Sequence, residues 1–275
     1  MLRLVWLLPI VLAAACRREP EPAPSPPEPS HASPAGPADA RTTEAVIDRA
    51  AAWLAAFPAD HLRFDAAIGL AAIRARTDSD ALRAASARAR EVSDRDTDNP
   101  LRRGYDDAAR VAPAVSAGWP LPKPGEPRAN VNRVVAEAMH CKENGIRRET
   151  LAYIAGPMRD EGGYQTTHAL WALAIARDHG CLTDFAERAR PLIAELREHQ
   201  TAPPATSVSA IDLYAERLLM IELAGEQGAD IEAWRRRLIE LQAEDGGFGE
   251  LAPDQDSYLR YHATLVAAWA LAVHP

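Results

Sequence analysis

Five predicted helices each carry one polar residue at a similar place in an otherwise small and apolar stripe. When the helices are aligned on that stripe and on the glycines that end them, the polar positions are Asp65, Asn132, His168, Asp212 and His262. Imidazole and carboxylate groups are the side chains that bind zinc and that transfer protons in enzymes. Because equivalent positions on parallel helices share one level, we expect these five side chains to form a polar layer near one mouth of a cavity.

Three interpretations of this layer remain open. The polar groups could hydrogen-bond one another across helices and serve only the fold, as buried polar groups usually do. They could instead form the mouth of a ligand pocket. The residues predicted to contact that ligand are Asp65, Tyr164, Trp171, Tyr214 and Tyr261. In the third interpretation, His168, Asp212 and His262 form a catalytic acid/base centre or hold a zinc ion.

Composition and motifs narrow the class of activity without naming a reaction. The net charge of −8 argues against a nucleic-acid-binding protein, which needs a basic face. The sequence has no nucleophile elbow, phosphate-binding loop, dinucleotide fingerprint or His-Glu-x-x-His motif. No cofactor is therefore predicted apart from the zinc alternative, and whether the protein is an enzyme stays open.

The N-terminus predicts export. A short basic start, Met1-Leu-Arg3, precedes an apolar run at residues 4–15 that is too short for a comfortable membrane span. The run ends in Leu12-Ala-Ala-Ala-Cys16, which resembles the lipobox of bacterial lipoproteins. The resemblance implies a signal peptide at residues 1–15, lipidation of Cys16 and a membrane anchor. Arg17 after the cysteine implies the outer membrane of the cell envelope.

A tether separates the predicted anchor from the folded domain. Residues 16–42 are rich in proline, which forbids helix and favours an extended chain. Residues 43–275 form the predicted domain, and about 235 residues are enough for a sizeable core. The partners expected for such a protein are the membrane, through its lipid, and an envelope glycan, lipid or protein.

Two cysteines remain beyond Cys16, in a chain predicted to enter an oxidising compartment. Cys141 and Cys181 follow histidines at the ends of predicted helices, in similar contexts. We predict a disulfide between them. The alternative is a zinc site with His140 and His179, although paired metal-ligand spacing is absent.

The predicted domain is helical nearly throughout, with a polar loop at residues 93–103 and helices that include those at 106–117, 130–144 and 149–155. Two kinds of helix stand out. Predicted helices near residues 44–57, 80–92, 184–199 and 230–242 are rich in charge. Those near 64–75, 167–178 and 258–273 are small, apolar and poorly charged, which is typical of buried helices. This alternation predicts an all-α fold of about five to six stacked helical hairpins. The hairpins could close into an α/α toroid or form an open solenoid.

A glycine turn recurs between the predicted hairpins. Asp245-Gly-Gly-Phe-Gly249 follows one helix and precedes the last, and a shortened copy occurs at Glu161-Gly-Gly-Tyr164. The longer turn resembles that of the α/α-toroid superfamily of prenyltransferases and terpene cyclases. The resemblance implies the toroid fold, with glycines that allow a tight reversal and an aromatic ring that packs between helices. His262 is similar to the zinc-binding histidine of protein prenyltransferases, but their Asp-x-Cys pair is missing.

Relative to its shortened copy, the second turn carries an insertion at about residues 250–259, beside the predicted mouth. If the domain has a loop specific to its function, we expect it there. The sequence as a whole predicts a membrane-anchored envelope lipoprotein with a binding or structural role. The alternative is an enzyme that acts on a glycan or lipid-like substrate at His168, Asp212 and His262.

Overall fold

The described part of the chain folds mainly into α-helices, eleven of which are labelled here. The computed structural model describes residues 42–58, 62, 64–95, 99–106, 131–204, 206–251 and 255–273. Within these residues the helices are α1 (Thr43–Ala56), α2 (Phe64–Arg74), α3 (Asp80–Ser93), α4 (Asn132–Met139), α5 (Cys141–Asn144), α6 (Arg148–Tyr153), α7 (Tyr164–Asp178), α8 (Phe185–Glu198), α9 (Val208–Leu223), α10 (Ala229–Glu240) and α11 (Ser257–Val273). The described part has no β-strand, so the all-α prediction is confirmed.

Caps fix where several of these helices begin and end. The hydroxyl of Thr42 accepts a hydrogen bond from the Ala45 backbone N–H and opens α1, at the predicted start of the domain. Ser79 opens α3 in the same way, through the N–H of Leu82. The predicted signal peptide at residues 1–15, Cys16 and the tether up to residue 41 lie outside the described residues.

The helices differ in how much of their surface is buried. In α8 only Ala189, Leu192 and Leu196 are buried, and charged side chains make up much of the remaining surface. In α9 and α11 most residues are buried, including polar groups. This contrast agrees with the two helix types read from the sequence, because a helix with one apolar stripe covers a core and a helix buried all round forms it.

The buried helices pack side by side. α11 packs against α9 and α2, α9 packs against α7, and α7 packs against α4. The charged helices pack against these buried helices: α3 contacts α2, α1 contacts α11, α8 contacts α7, and α10 contacts α9 and α11. α1 also packs against α3. One contiguous core runs through all of these contacts. None of the described helices combines the length and the apolar character that crossing a membrane requires.

The Asp-Gly-Gly-Phe-Gly turn anchors α1, α9 and α11 to one another. Phe248 is fully buried, and its N–H donates to the hydroxyl of Thr264 at 3.0 Å. Gly246 has φ +96°, and a Cβ there would lie 2.6 Å from the Arg49 carbonyl oxygen. The aromatic ring therefore packs between helices as expected, and the turn serves the fold.

Several predicted helix boundaries are wrong. The helix predicted at residues 130–144 is broken at His140, whose ring Nε2 lies 2.8 Å from the Pro100 carbonyl oxygen. The predicted polar loop at 93–103 contains a short 3₁₀ helix, Pro100–Gly104, held by an Asn99 cap. The helix predicted at 149–155 continues through a π-helical turn, Ile154–Met158, to Glu161. The helix predicted at 106–117 lies almost entirely outside the described residues.

Cys141 and Cys181 are paired as predicted. Their Cα atoms lie 6.1 Å apart and their sulphur atoms are at disulfide distance. The His140 ring is turned away to Pro100, so the alternative zinc site with His140 and His179 is not formed. The pair links the start of α5 to the chain that leaves α7.

Candidate functional site

A cavity of about 230 Å³ lies among the buried helices. The described residues that line it come from the starts of α2 and α4, the first half of α7, the second half of α9 and most of the length of α11. They are Phe64, Asp65, Val131, Asn132, His168, Trp171, Glu216, Leu219, Met220, Tyr258, His262, Leu265, Val266 and Trp269. The walls are aromatic and aliphatic, and the polar groups are mainly imidazoles and carboxylates.

His262 is fixed by a buried carboxylate behind it. Its ring Nδ1 lies 2.7 Å from Asp212 Oδ1, and Asp212 is 2% exposed. The hydroxyl of Tyr164 donates to the other oxygen of Asp212, Oδ2. With Nδ1 turned to Asp212, the opposite ring nitrogen, Nε2, is the one that faces Glu216 and Asp65.

Glu216 lies one helical turn after Asp212 on α9 and reaches the cavity. The hydroxyl of Thr167 donates to its Oε2 at 2.7 Å, and its Oε1 lies 3.7 Å from His262 Nε2. Burial raises the pKa of Glu216, while the charges of His168 and His262 oppose that rise. Thr167 thus holds one carboxyl oxygen and leaves the other directed towards His262 and the cavity.

The carboxylates around His262 stabilise its protonated form. Burial lowers the pKa of the ring, but the charge and hydrogen bond of Asp212, followed by the charges of Glu216 and Asp65, raise it to about 10. The imidazole is therefore an imidazolium at neutral pH. A proton transfer at Nε2 would start from this charged ring.

Asp65 brings a third carboxylate to the same ring. Its Oδ2 lies 3.8 Å from His262 Nε2 and accepts a hydrogen bond from the hydroxyl of Tyr258. Tyr258 lies in the second residue of α11, at the end of the predicted insertion. The insertion therefore contributes one residue that lines the cavity.

Two tryptophans form part of the apolar wall. The rings of Trp171 and Trp269 meet edge to face, with centroids 5.8 Å apart. His168 lies against Trp171, with ring centroids 6.1 Å apart, and its Nδ1 is 2.9 Å from the Tyr164 carbonyl oxygen. That contact assigns the proton of a neutral His168 to Nδ1.

The structure brings most of the predicted polar layer together. Asp65, Asn132, His168 and His262 line the cavity, and Asp212 lies behind His262. Trp171, which the sequence predicts as a ligand contact, also lines the cavity. Tyr164 does not line it, but its hydroxyl reaches Asp212.

Two predicted ligand contacts lie elsewhere. Tyr214 lies two residues after Asp212, and therefore on nearly the opposite side of α9. Its side chain is buried, and its hydroxyl donates a hydrogen bond to the Trp234 carbonyl of α10. Tyr261 is fully buried and packs against Phe57, with ring centroids 4.6 Å apart. Neither lines the cavity.

Aligning the predicted helices with one another did not identify Glu216, Tyr258 and Trp269 as cavity residues. Glu216 follows Asp212 at the i+4 spacing, which places both on one helix face, and that spacing could have found it. Trp269 likewise follows Leu265 at i+4 on α11. Tyr258 precedes His262 by four residues and had the same signal.

The arrangement can do two kinds of chemistry. Asp212, Glu216 and His262 offer ligand atoms within 4.8 Å of one another, a spacing compatible with a metal ion. The same groups could move a proton between His262 and a bound molecule. Comparison of the chain with protein-family models, curated proteins and solved structures gives no match, so the interpretation depends on this geometry.

Proposed function

We propose that the protein is a lipid-anchored binding protein of a bacterial cell envelope, whose cavity takes a small organic molecule. The observation that supports this proposal is the cavity itself. Its walls are apolar and aromatic, and its polar groups converge at His262. Ligand sites typically combine apolar walls with a few placed polar groups. The ligand has an apolar body and a polar group that faces Glu216 and His262.

A cavity-blocking variant tests the binding function. In Val266→Phe the larger side chain would fill part of the space, whereas Val92→Phe on the outer helix α3 would leave it open. Small molecules with an apolar body should raise the Tm of the wild-type protein and of Val92→Phe. They should not raise that of Val266→Phe. A ligand-induced rise that is equal in all three proteins would exclude the cavity as the binding site.

The proposed toroid architecture is supported by the order of helix contacts. α2, α11, α9, α7 and α4 pack in sequence, and the 3₁₀ helix Pro100–Gly104 contacts both α4 and α2. The cavity residues come from these same five helices. A ring of inner helices, with α1, α3, α8 and α10 outside it, accounts for both facts. A crystal structure with α2 and α4 on opposite ends of an open array would contradict the ring.

The proposed anchor is supported by the residues before Cys16. Export with cleavage and lipidation would place a hydrophobic group on the mature N-terminus, and the proline-rich tether would hold the domain away from the membrane. Full-length protein should partition with detergent after expression in a bacterium, and Cys16→Ser should remain in the aqueous phase. Equal partitioning of both would contradict lipidation.

A second candidate function, an enzyme acting on a glycan or lipid-like substrate, is favoured by one observation. The Asp212–His262 pair places an oriented imidazole beside the buried carboxyl of Glu216. Such groups can act as acid and base on a bound substrate. Turnover of an envelope glycan or lipid that is lost in His262→Gln, with binding retained, would establish this activity.

A further inference from the structure

We propose that the cavity binds an organic cation, a small molecule with an ammonium group on an apolar body. This inference deepens the proposed binding function and rests on it. The ammonium group would lie at the carboxylates of Asp65 and Glu216 with tryptophan rings beside it, and the apolar body would lie along the rest of the cavity wall. Charge, position and wall chemistry each support this class of ligand.

The charge of the cavity is negative. Among the described lining residues there is no lysine or arginine, whereas Asp65 and Glu216 both contribute carboxylates. Asp212 lies behind His262, and its carboxylate is paired with that ring. Three carboxyl groups, those of Asp65, Asp212 and Glu216, therefore surround the single ring of His262. A ligand that carries phosphate or carboxylate would be repelled.

The carboxylate oxygens are held in place and directed at the cavity. Glu216 is 3% exposed, and Thr167 holds its Oε2, so that Oε1 is turned towards the cavity side at His262. Tyr258 holds Asp65 through its hydroxyl. Because these groups are already oriented before a ligand arrives, little side-chain entropy is lost when a cation binds.

The aromatic wall suits a cation better than a neutral polar group. Trp171 and Trp269 are lining residues that meet edge to face, and Phe64 and Tyr258 add further rings. An ammonium group is attracted to the face of an aromatic ring, and the attraction is strongest for tryptophan and where water is excluded. Carboxylates and several aromatic rings in one cavity are the combination that recognises alkylammonium groups.

The test compares a cation with its uncharged isostere. Choline and 3,3-dimethylbutan-1-ol have almost the same shape but differ by one positive charge. Binding of each to the full chain, purified in detergent with EDTA, is followed by tryptophan fluorescence and calorimetry. We expect choline to bind roughly tenfold or more tightly than the alcohol.

Variants assign the preference to the proposed groups. Glu216→Gln keeps the shape and removes the carboxyl group, so the affinity for choline should fall about tenfold while that for the alcohol changes little. Trp171→Leu should weaken choline several-fold, by about the strength of one cation–π contact. The matched control is Glu222→Gln, a buried glutamate on the same helix that does not line the cavity. Its choline affinity should stay within about twofold of the wild type.

The outcomes separate the two proposals. Equal affinity for choline and the alcohol, with both lost in Val266→Phe, would keep the binding function and overturn the preference for cations. Binding of neither probe, together with no ligand found for the cavity, would overturn both. A response to zinc alone, lost in His262→Gln and without a choline preference, would assign the carboxylates to a metal and also overturn the organic-cation proposal.

Discussion

At the scale of single residues, the protonation state of His262 couples the site to the stability of the fold. Its ring faces Asp212 and Glu216 from α9 and Asp65 from α2, while Tyr164 donates to Asp212. The pKa of His262 is raised from its usual 6.5 to about 10 because the attraction of these carboxylates exceeds the effect of burial. The folded protein therefore holds this proton more tightly than the unfolded chain does.

The sign of the resulting pH dependence follows directly. A raised folded-state pKa gives stability that is fully present below about pH 6.5 and is lost as the pH rises through about 10. The loss is at most about 5 kcal/mol over that range. Unfolding by urea at several pH values, in EDTA, measures it. In His262→Gln this part of the slope should disappear, and a slope that persists there would contradict the assignment.

The polar layer could be predicted from the sequence because the inner helices share a common apolar pattern. Residues at equivalent positions in that pattern lie at the same height in the packed helices. That logic located Asp65, Asn132, His168 and His262 around the cavity. It failed for Tyr214 and Tyr261, because proximity along the chain ignores the rotation of about 100° per residue around a helix. Charge states also had to await the structure, since the pKa of His262 depends on carboxylates from two other helices.

At the scale of elements, the glycine turn before α11 depends on close packing as well as on backbone conformation. Gly246 has φ +96°, and a Cβ there would lie 2.6 Å from the Arg49 carbonyl oxygen of α1. Gly225 after α9 has nearly the same φ, +93°, but the nearest atom to its Cβ would be at 4.0 Å. A substitution at Gly225 therefore measures the cost of the left-handed backbone conformation alone, whereas one at Gly246 adds the cost of a steric clash with α1.

Alanine substitution at these glycines should therefore have unequal effects. Gly225→Ala should lower the free energy of unfolding by roughly 1–2 kcal/mol, the cost of a left-handed conformation. Gly246→Ala should lower it further, because α1 or the turn must move to relieve the contact. Chemical denaturation of both variants gives the comparison. An equal loss of unfolding free energy in both variants would mean that the turn or α1 shifts to relieve the contact at no energetic cost.

The contact between α10 and the end of α11 provides a second prediction for helix packing. Arg235 of α10 donates to the carbonyls of Ala270 and Leu271 at the end of α11, and it pairs with buried Glu222 of α9 at 2.8 Å. Burial raises the pKa of Glu222 to about 7, against the opposing effect of Arg235. The carboxyl therefore takes up protons more readily in the folded than in the unfolded state.

Stability should consequently fall as the pH rises from about 4.5 to about 7. The Glu222 contribution is fully present below pH 4.5 and is lost through the folded pKa, by about 3 kcal/mol. Thermal or urea unfolding across this window should show a shallower slope in Glu222→Gln than in the wild type. The window lies below that of His262, so a double variant with His262→Gln should lose both slopes independently.

At the scale of the whole molecule, the helix pattern was predictable because each helix carries its own periodicity and caps. The charged helices α3, α8 and α10 and the apolar helices α2, α7 and α11 lie within three residues of the bounds predicted from that periodicity and those caps. The break at His140 was not, because it depends on a contact with Pro100, forty residues earlier in the chain. Such long-range contacts leave no local pattern in a single sequence.

The disulfide connects the segment that follows α4 to the segment that follows α7. Cys141 begins α5, and Cys181 follows the glycine that ends α7, a sequence separation of 40 residues. α4 and α7 already pack against each other, so the bond adds no new neighbour to the folded state. Its main effect is to restrict the unfolded chain, and for a loop of this size the loss on removal is about 4 kcal/mol.

Reduction should therefore lower the stability of the protein without changing its helix content. We expect the wild type in dithiothreitol, and the double variant Cys141→Ala with Cys181→Ala, to unfold at lower urea concentration by a similar amount. Reductant should have no further effect on the double variant, which controls for its action elsewhere. Unchanged stability on reduction would mean that the unfolded chain stays compact between these positions. A loss of helical signal would instead mean that the bond also holds α4 and α7 together in the folded state.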